Sequence, residues 1–188
     1  MNKSTDHRFH RDSGSGHDLR APVTSQDHRR GARRPKITIV EYGDLECPAC
    51  RAAEPAVRMI LDSHPNTVEL VFRHFPIESM HPHALMAAEA TEAAGAQGKF
   101  WEMHDALLKE HAPLHRPALD QEAVTLGLDI ALFKASLDDE IYLQRIREQE
   151  QLGARSHLRA SPGFFVNGTV CDVSGGMHAL AQAVAASG

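Results

Sequence analysis

The sequence predicts an α/β domain with a mixed sheet and a helical insertion. Three observations carry this: a strand–helix–strand unit over residues 37–75, helical periodicity through residues 80–155, and a closing strand–turn–strand–helix segment. Ile37-Thr38-Ile39-Val40-Glu41-Tyr42 is β-branched and almost continuously apolar, the pattern of a strand covered on both faces. Gly43-Asp44 ends it. The run Cys47-Pro48-Ala49-Cys50 then opens a helix to about Ser63, where Ala52, Ala56, Met59 and Ile60 keep one face apolar and Pro55 is expected to kink the axis. Val68–Phe75 reads as a second strand closed by Pro76, and the βαβ connection makes the pair parallel.

Five helical stretches follow: His83–Ala96, Lys99–His111, Leu119–Leu126, Ile130–Leu137 and Ile141–Leu152. In the second, Phe100, Met103 and Leu107 recur at helical spacing and, with Trp101, are expected in the insertion's core. After Ser161-Pro162-Gly163, the strand Phe164-Phe165-Val166 meets Asn167-Gly168 and then Thr169–Val173, a strong hairpin signal. Met177, Leu180 and Val184 mark a final amphipathic helix.

Residues 1–36 carry only six apolar side chains, so they are predicted to be a disordered, His-containing tail whose removal leaves folding intact. The tail holds nine Lys and Arg against four Asp and Glu, about +5, which leaves about −10 for the domain of residues 37–188. Its Arg29-Arg30 and Arg33-Arg34 clusters are expected to be solvated rather than to contact RNA or DNA, and the irregular spacing of His7, His10, His17 and His28 points to adventitious metal binding rather than a real site. The whole-chain charge of −5 carries no footprint for polyanions, so neither nucleic acid nor a membrane is an expected partner. No apolar stretch reaches bilayer length and the opening residues lack a secretory pattern, which leads to the expectation of a cytoplasmic protein.

Three cysteines are too few to staple a fold of this size, and two of them form a Cys-x-x-Cys. At a strand-to-helix junction the first, Cys47, meets unpaired helix N–H groups and the positive end of the helix dipole, which favour its thiolate. Cys50, one turn on, can resolve a mixed disulfide formed on Cys47, and Pro48 suits the first helical position, where its missing N–H is not needed. Two other readings stay open. The pair can serve as zinc ligands in a non-catalytic or redox-sensing module, with His81 and His83 as distant candidates, or as two buried structural cysteines. Cys171 is expected as a small edge or core residue, and His74 and His104 as structural histidines.

The segments IVEYGDLECPAC, VFRHFPI, HPHALMAAEA, GKFWEMHDALL and SPGFFVNG resemble the DsbA-like thiol–disulfide oxidoreductases of the thioredoxin superfamily, over roughly residues 37–188. The resemblance implies a four-stranded mixed sheet in the order 2-1-3-4 with an inserted helical domain, and a cis Ser161-Pro162 facing the cysteines. Ser161, Pro162, Pro48 and Ala49 would then bind substrate, whereas base rates alone favour a trans bond. It also implies disulfide- or thiol-containing protein substrates, a redox recycling partner, and no cofactor or metal beyond the redox-active Cys47–Cys50 pair. Departures from the family pattern are the Pro-Ala dipeptide, which lacks the histidine of its strong oxidants, Gly163 where Thr or Ser is frequent, and no visible export signal.

Glu41 completes the candidate site. Strand alternation places it with Ile37 and Ile39, six residues before Cys47, where a carboxylate is costly unless paired or functional. The resemblance implies an acidic residue at this offset. It is expected either to accept the proton of Cys50 during resolution or to be satisfied by Arg73 on the neighbouring strand.

Overall fold

The computed structural model describes residues 18–188. A five-stranded sheet in the order β1-β3-β2-β4-β5 is built from His28–Gly31, Ile37–Gly43, Val68–His74, Gly163–Val166 and Thr169–Cys171, numbered in chain order. β2 runs parallel to β3 and antiparallel to β4; β1 and β5 are antiparallel edges. Helix α1 (Pro48–Ser63) makes the crossover. Five helices fill the insertion: α2 (Ala84–Gly95), α3 (Phe100–Leu107), α4 (Arg116–Thr125), α5 (Ile130–Asp138) and α6 (Leu143–Arg155). The C-terminal α7 spans His178–Ala186.

The central strands sort their side chains by parity. Ile37, Ile39, Leu70, Phe164 and Val166 face Ala53, Val57 and Ile60 of α1 and Leu180 and Val184 of α7. Val40, Tyr42, Val71, Phe75 and Phe165 pack on the opposite face. Both faces of β2 are therefore covered, which is why its sequence lacks a polar alternation. The insertion closes over Phe72 with Phe100, Met103, Leu107, Leu119 and Phe133. Trp101 departs from expectation: it is half-buried, with an Arg30 guanidinium 4.3 Å over its ring and its Nε1 donating to the Arg29 carbonyl at 2.9 Å.

Asn167 and Gly168 take φ values of 48° and 84°, the two left-handed residues of a tight hairpin turn, as the Asn-Gly pair predicts. Gly43 is set by a close approach instead, because a Cβ there would meet the Phe72 ring at 2.4 Å.

The reading of residues 1–36 as a disordered tail is corrected from residue 18 onward. His28–Gly31 adds β1 to the sheet against β3, with His28 opposite Phe72 and Arg30 opposite Leu70. Upstream, the buried Arg73 guanidinium donates to the carbonyls of Ala21 and Pro22 and to both carboxylate oxygens of Asp27. Polar pairing and backbone bonding thus dock a segment too poor in apolar residues to be noticed by composition. The expected four-stranded order survives as β3-β2-β4-β5, with β1 added at one edge. His28 is not part of a loose metal set: it stacks on Phe100 at 3.4 Å and bonds Glu92 at 3.0 Å. His7, His10 and His17 lie outside the described residues.

Candidate active site

The site begins where β2 ends. Cys47 caps α1 with extended backbone (φ −67°, ψ 122°), Pro48 follows at the first helical position, and the Arg51 N–H bonds the Cys47 carbonyl. Asp44, buried in the intervening turn, fixes that turn by accepting from the N–H groups of Glu46 and Ile77, both at 2.8 Å, and pairs with His81 Nδ1 at 2.7 Å. His83 turns likewise to Glu46. These contacts place His81 and His83 on carboxylates, and among the described residues no group of three His, Cys, Asp or Glu stands together as a metal-binding set.

Both thiols are free. Their environments differ. The Cys47 thiol is held down to about 5, first by hydrogen bonding with Cys50 and then by the backbone N–H groups of Cys50 and Ala49, against the opposing effect of burial. Cys50, 2% exposed, is pushed far up by the same hydrogen bond, by burial and by the nearby Glu41 charge. Cys47 Sγ stands 3.5 Å from the Ser161 carbonyl, and the Ser161–Pro162 peptide is cis. The Ser161 hydroxyl is buried with no hydrogen-bond partner among the described residues.

Glu41 lies 3% exposed in β2, opposite Phe72 on β3 and Phe164 on β4, and its Oε2 has no hydrogen-bond partner among the described residues. Burial, reinforced by the negative charge of Glu54 and moderated by Arg30, pushes its carboxyl up to about 8. The expected pairing with Arg73 is overturned. Arg73 is registered with Tyr42, one residue on from Glu41, so it points to the other face, where it bonds the Tyr42 hydroxyl and Asp27.

A groove of about 650 Å³ beside the cysteines is lined by Ala49, Ala52, Pro162, Phe164, Val170 and Met177, with Cys171 in its wall. Ala49 and Pro162 thus share one surface, while Pro48 faces a separate cleft of about 600 Å³ with Arg51, Glu54, Arg58 and Asp105. Cys171 is half-buried on edge strand β5 and its thiol is shifted up by burial. His74 contacts Thr91 and Glu92, whereas His104 bonds Asp105 through Nδ1 and its buried Nε2 has no hydrogen-bond partner among the described residues.

Sequence reasoning missed Arg30, Asp27 and Asp44. The first two sit in a segment read as tail. Asp44, three residues before the nucleophile at the end of a buried strand, was legible only as a turn residue.

The family described as Thioredoxin matches residues 23–186. A thioredoxin-like oxidoreductase from Silicibacter pomeroyi DSS-3 is 26% identical, with a TM-score of 0.77 over 87% of this chain and 93% of that one. DsbA2 of Pseudomonas aeruginosa is 25% identical, with a TM-score of 0.68 over 87% and 95% of the two chains. BdbD from Bacillus subtilis, at 19% identity and a TM-score of 0.72 over 85% and 91%, shares the fold. Among curated proteins, the Na(+)/H(+) antiporter NhaA 1 of Salinispora arenicola is 45% identical over 168 residues, 89% of this chain and 26% of that protein. This chain therefore spans about a quarter of the length of that relative. Family match and structural likeness agree: the chain belongs to the thioredoxin family and has the fold of its DsbA-like thiol–disulfide oxidoreductases.

Proposed function

We propose that this chain catalyses thiol–disulfide exchange with disulfide- or thiol-bearing protein segments through Cys47 and Cys50. The observation that carries the reading is the opposed state of the two thiols, one at a helix start with its thiolate favoured, the other buried behind it and kept protonated. In the reductive direction the Cys47 thiolate attacks one sulfur of a substrate disulfide. A Cys47–substrate bond forms, the substrate S–S bond breaks, and the other substrate sulfur leaves as thiolate and takes a proton from solvent. Cys50 then gives its proton to Glu41 and attacks Cys47. The Cys47–Cys50 bond forms, the second substrate thiol leaves, and the substrate has gained the two electrons the pair lost. Oxidation of a substrate dithiol is the same sequence reversed, and a redox partner of the opposite poise returns the pair to its starting state.

The apolar groove between Ala49, Pro162 and Met177 supplies a seat for an extended segment, and the Ser161 backbone beside Cys47 supplies its hydrogen bonds. No helix among the described residues is long and apolar enough to cross a membrane, and the proposed reaction is that of this segment rather than of the longer antiporter relatives.

The test uses a disulfide-linked peptide and the Cys50→Ala variant, which cannot resolve the intermediate. Mass spectrometry of tryptic fragments should find the peptide on Cys47. Failure to form any mixed disulfide, with the wild type equally inert toward the peptide, removes the enzymatic reading. Stoichiometric zinc on the dialysed protein, lost in Cys47→Ser, would favour the metal module.

A further inference from the structure

Beneath α1, three carboxylates and two guanidinium groups crowd one layer. Arg30 Nη1 donates to both oxygens of Asp105 at 2.8 and 2.9 Å, and Nη2 donates to Glu54 Oε1 at 3.2 Å. Arg58, at the mouth of the cleft, contacts the same two carboxylates at 2.9 Å each. Register shows that Arg30 and Glu41 share a face of the sheet: Arg30 stands opposite Leu70, Leu70 opposite Ile39, and Ile39 lies two residues from Glu41. Four polar atoms in this layer, Arg30 Nε, Glu41 Oε2, Glu54 Oε2 and His104 Nε2, are buried with no hydrogen-bond partner among the described residues.

We propose that Arg30, delivered by β1, is a positioning residue for the exchange reaction: its guanidinium is the cation against which Glu41 and Glu54 are held, and it governs how readily Glu41 takes the Cys50 proton. This rests on Glu41 being the proton acceptor in the proposed function. The groups facing Glu41 set the balance. From α1 come Cys50 and Glu54, from β1 Arg30 and His28, from β3 His74, and from α3 His104 and Asp105. His28 and His74 are matched by Glu92 on α2, and His104 is kept neutral by burial while its Nδ1 meets Asp105. Glu54 and Arg30 remain as the charges that act on Glu41 in opposite senses, Glu54 repelling its carboxylate and Arg30 attracting it. Trp101 holds the guanidinium from the outer side, so the cation enters on an edge strand yet acts in the interior.

The opposite signs give the test. Dithiobis-nitrobenzoate reacts with the reduced protein in two phases, the first releasing one thionitrobenzoate as Cys47 is capped, the second releasing another as Cys50 attacks. The pH at which the second phase reaches half its plateau should rise by about half to one unit in Arg30→Gln and fall by a similar amount in Glu54→Gln. Arg30→Lys, which keeps the charge but not the fork, should return the profile toward wild type. The first phase should be unmoved in all three, since Cys47 is held by Cys50 and the first turn of α1. Shifts of the same sign in the Gln variants, or no shift, overturn the proposal, because a merely structural role slows both alike. Should Arg30→Gln not fold, Glu54→Gln decides alone: a downward shift supports the coupling and a fixed profile refutes it. Glu41→Gln separates the two layers of argument, since an unchanged second phase there fails the acceptor reading itself, and a missing second phase in wild type fails the enzymatic one.

Discussion

Cys47 and Cys50 are chemically identical and three residues apart, and their surroundings drive their protons in opposite directions. The donors around Cys47 act on its charged form, so reduced protein should react with iodoacetamide at Cys47 first, its rate rising with a midpoint near the value of about 5 set by its neighbours. The Cys50 thiol is the first of those donors, so Cys50→Ala should move that midpoint up, which a pH series of alkylation rates measures. Glu41 works in the other sense. Its carboxyl titrates near 4.5 when unfolded and at about 8 when folded, so between those values the folded state holds the extra proton and stability falls as pH rises. Glu41→Gln should therefore gain little stability at pH 4 and on the order of several kcal/mol at pH 8, read from urea melts at both values, while slowing resolution of the mixed disulfide at least tenfold.

At the scale of elements, β1 is the least expected part of the molecule. It is four residues long, alternates half-exposed and exposed positions, and stays in place because β3 offers an open edge and Arg73 grips the chain upstream of it. Arg73 and Asp27 are nearly buried, at 3% and 7% side-chain exposure, so Arg73→Met leaves a buried carboxylate without its cation. It should cost about 3–5 kcal/mol in chemical denaturation. A chain lacking residues 1–36 should lose that much or more, whereas the composition of those residues predicted no loss; an unchanged melting temperature would return the segment to the status of a tail. Helix α1 shows the converse. Pro48 starts it without sacrificing a needed N–H, and the helix runs on through Pro55 because Ala53, Val57 and Ile60 are pinned to the sheet.

Across the whole molecule, the stabilised Cys47 thiolate exists only in the reduced, folded protein. A thiol whose folded titration lies below its unfolded one contributes stability that is complete above the unfolded value of about 8.5 and is lost as pH falls through about 5. The reduced form should thus melt above the oxidised form at pH 7 to 8, with the gap closing by pH 4 to 5. Calorimetry of both redox forms across that range measures it, and a gap independent of pH would remove the thiolate as its cause.

The sequence by itself determined what is local and periodic: the buried parallel pair, the helix opened by Cys47-Pro48, the Asn167-Gly168 turn and the five helices of the insertion. Each is written within a few neighbouring residues, as apolar spacing, a proline at a helix start or a left-handed turn pair. It also placed Cys47, Cys50 and Glu41 together, because a strand, a tight turn and a helix leave them little freedom. Only the tertiary structure decided the partners. Whether Arg73 met Glu41 or Asp27 turned on one residue of register, and a basic stretch became an edge strand because its charges found Glu54, Asp105, Glu69 and Glu92 far along the chain. Such pairings depend on the free energy of ions held between distant elements, which no local pattern encodes.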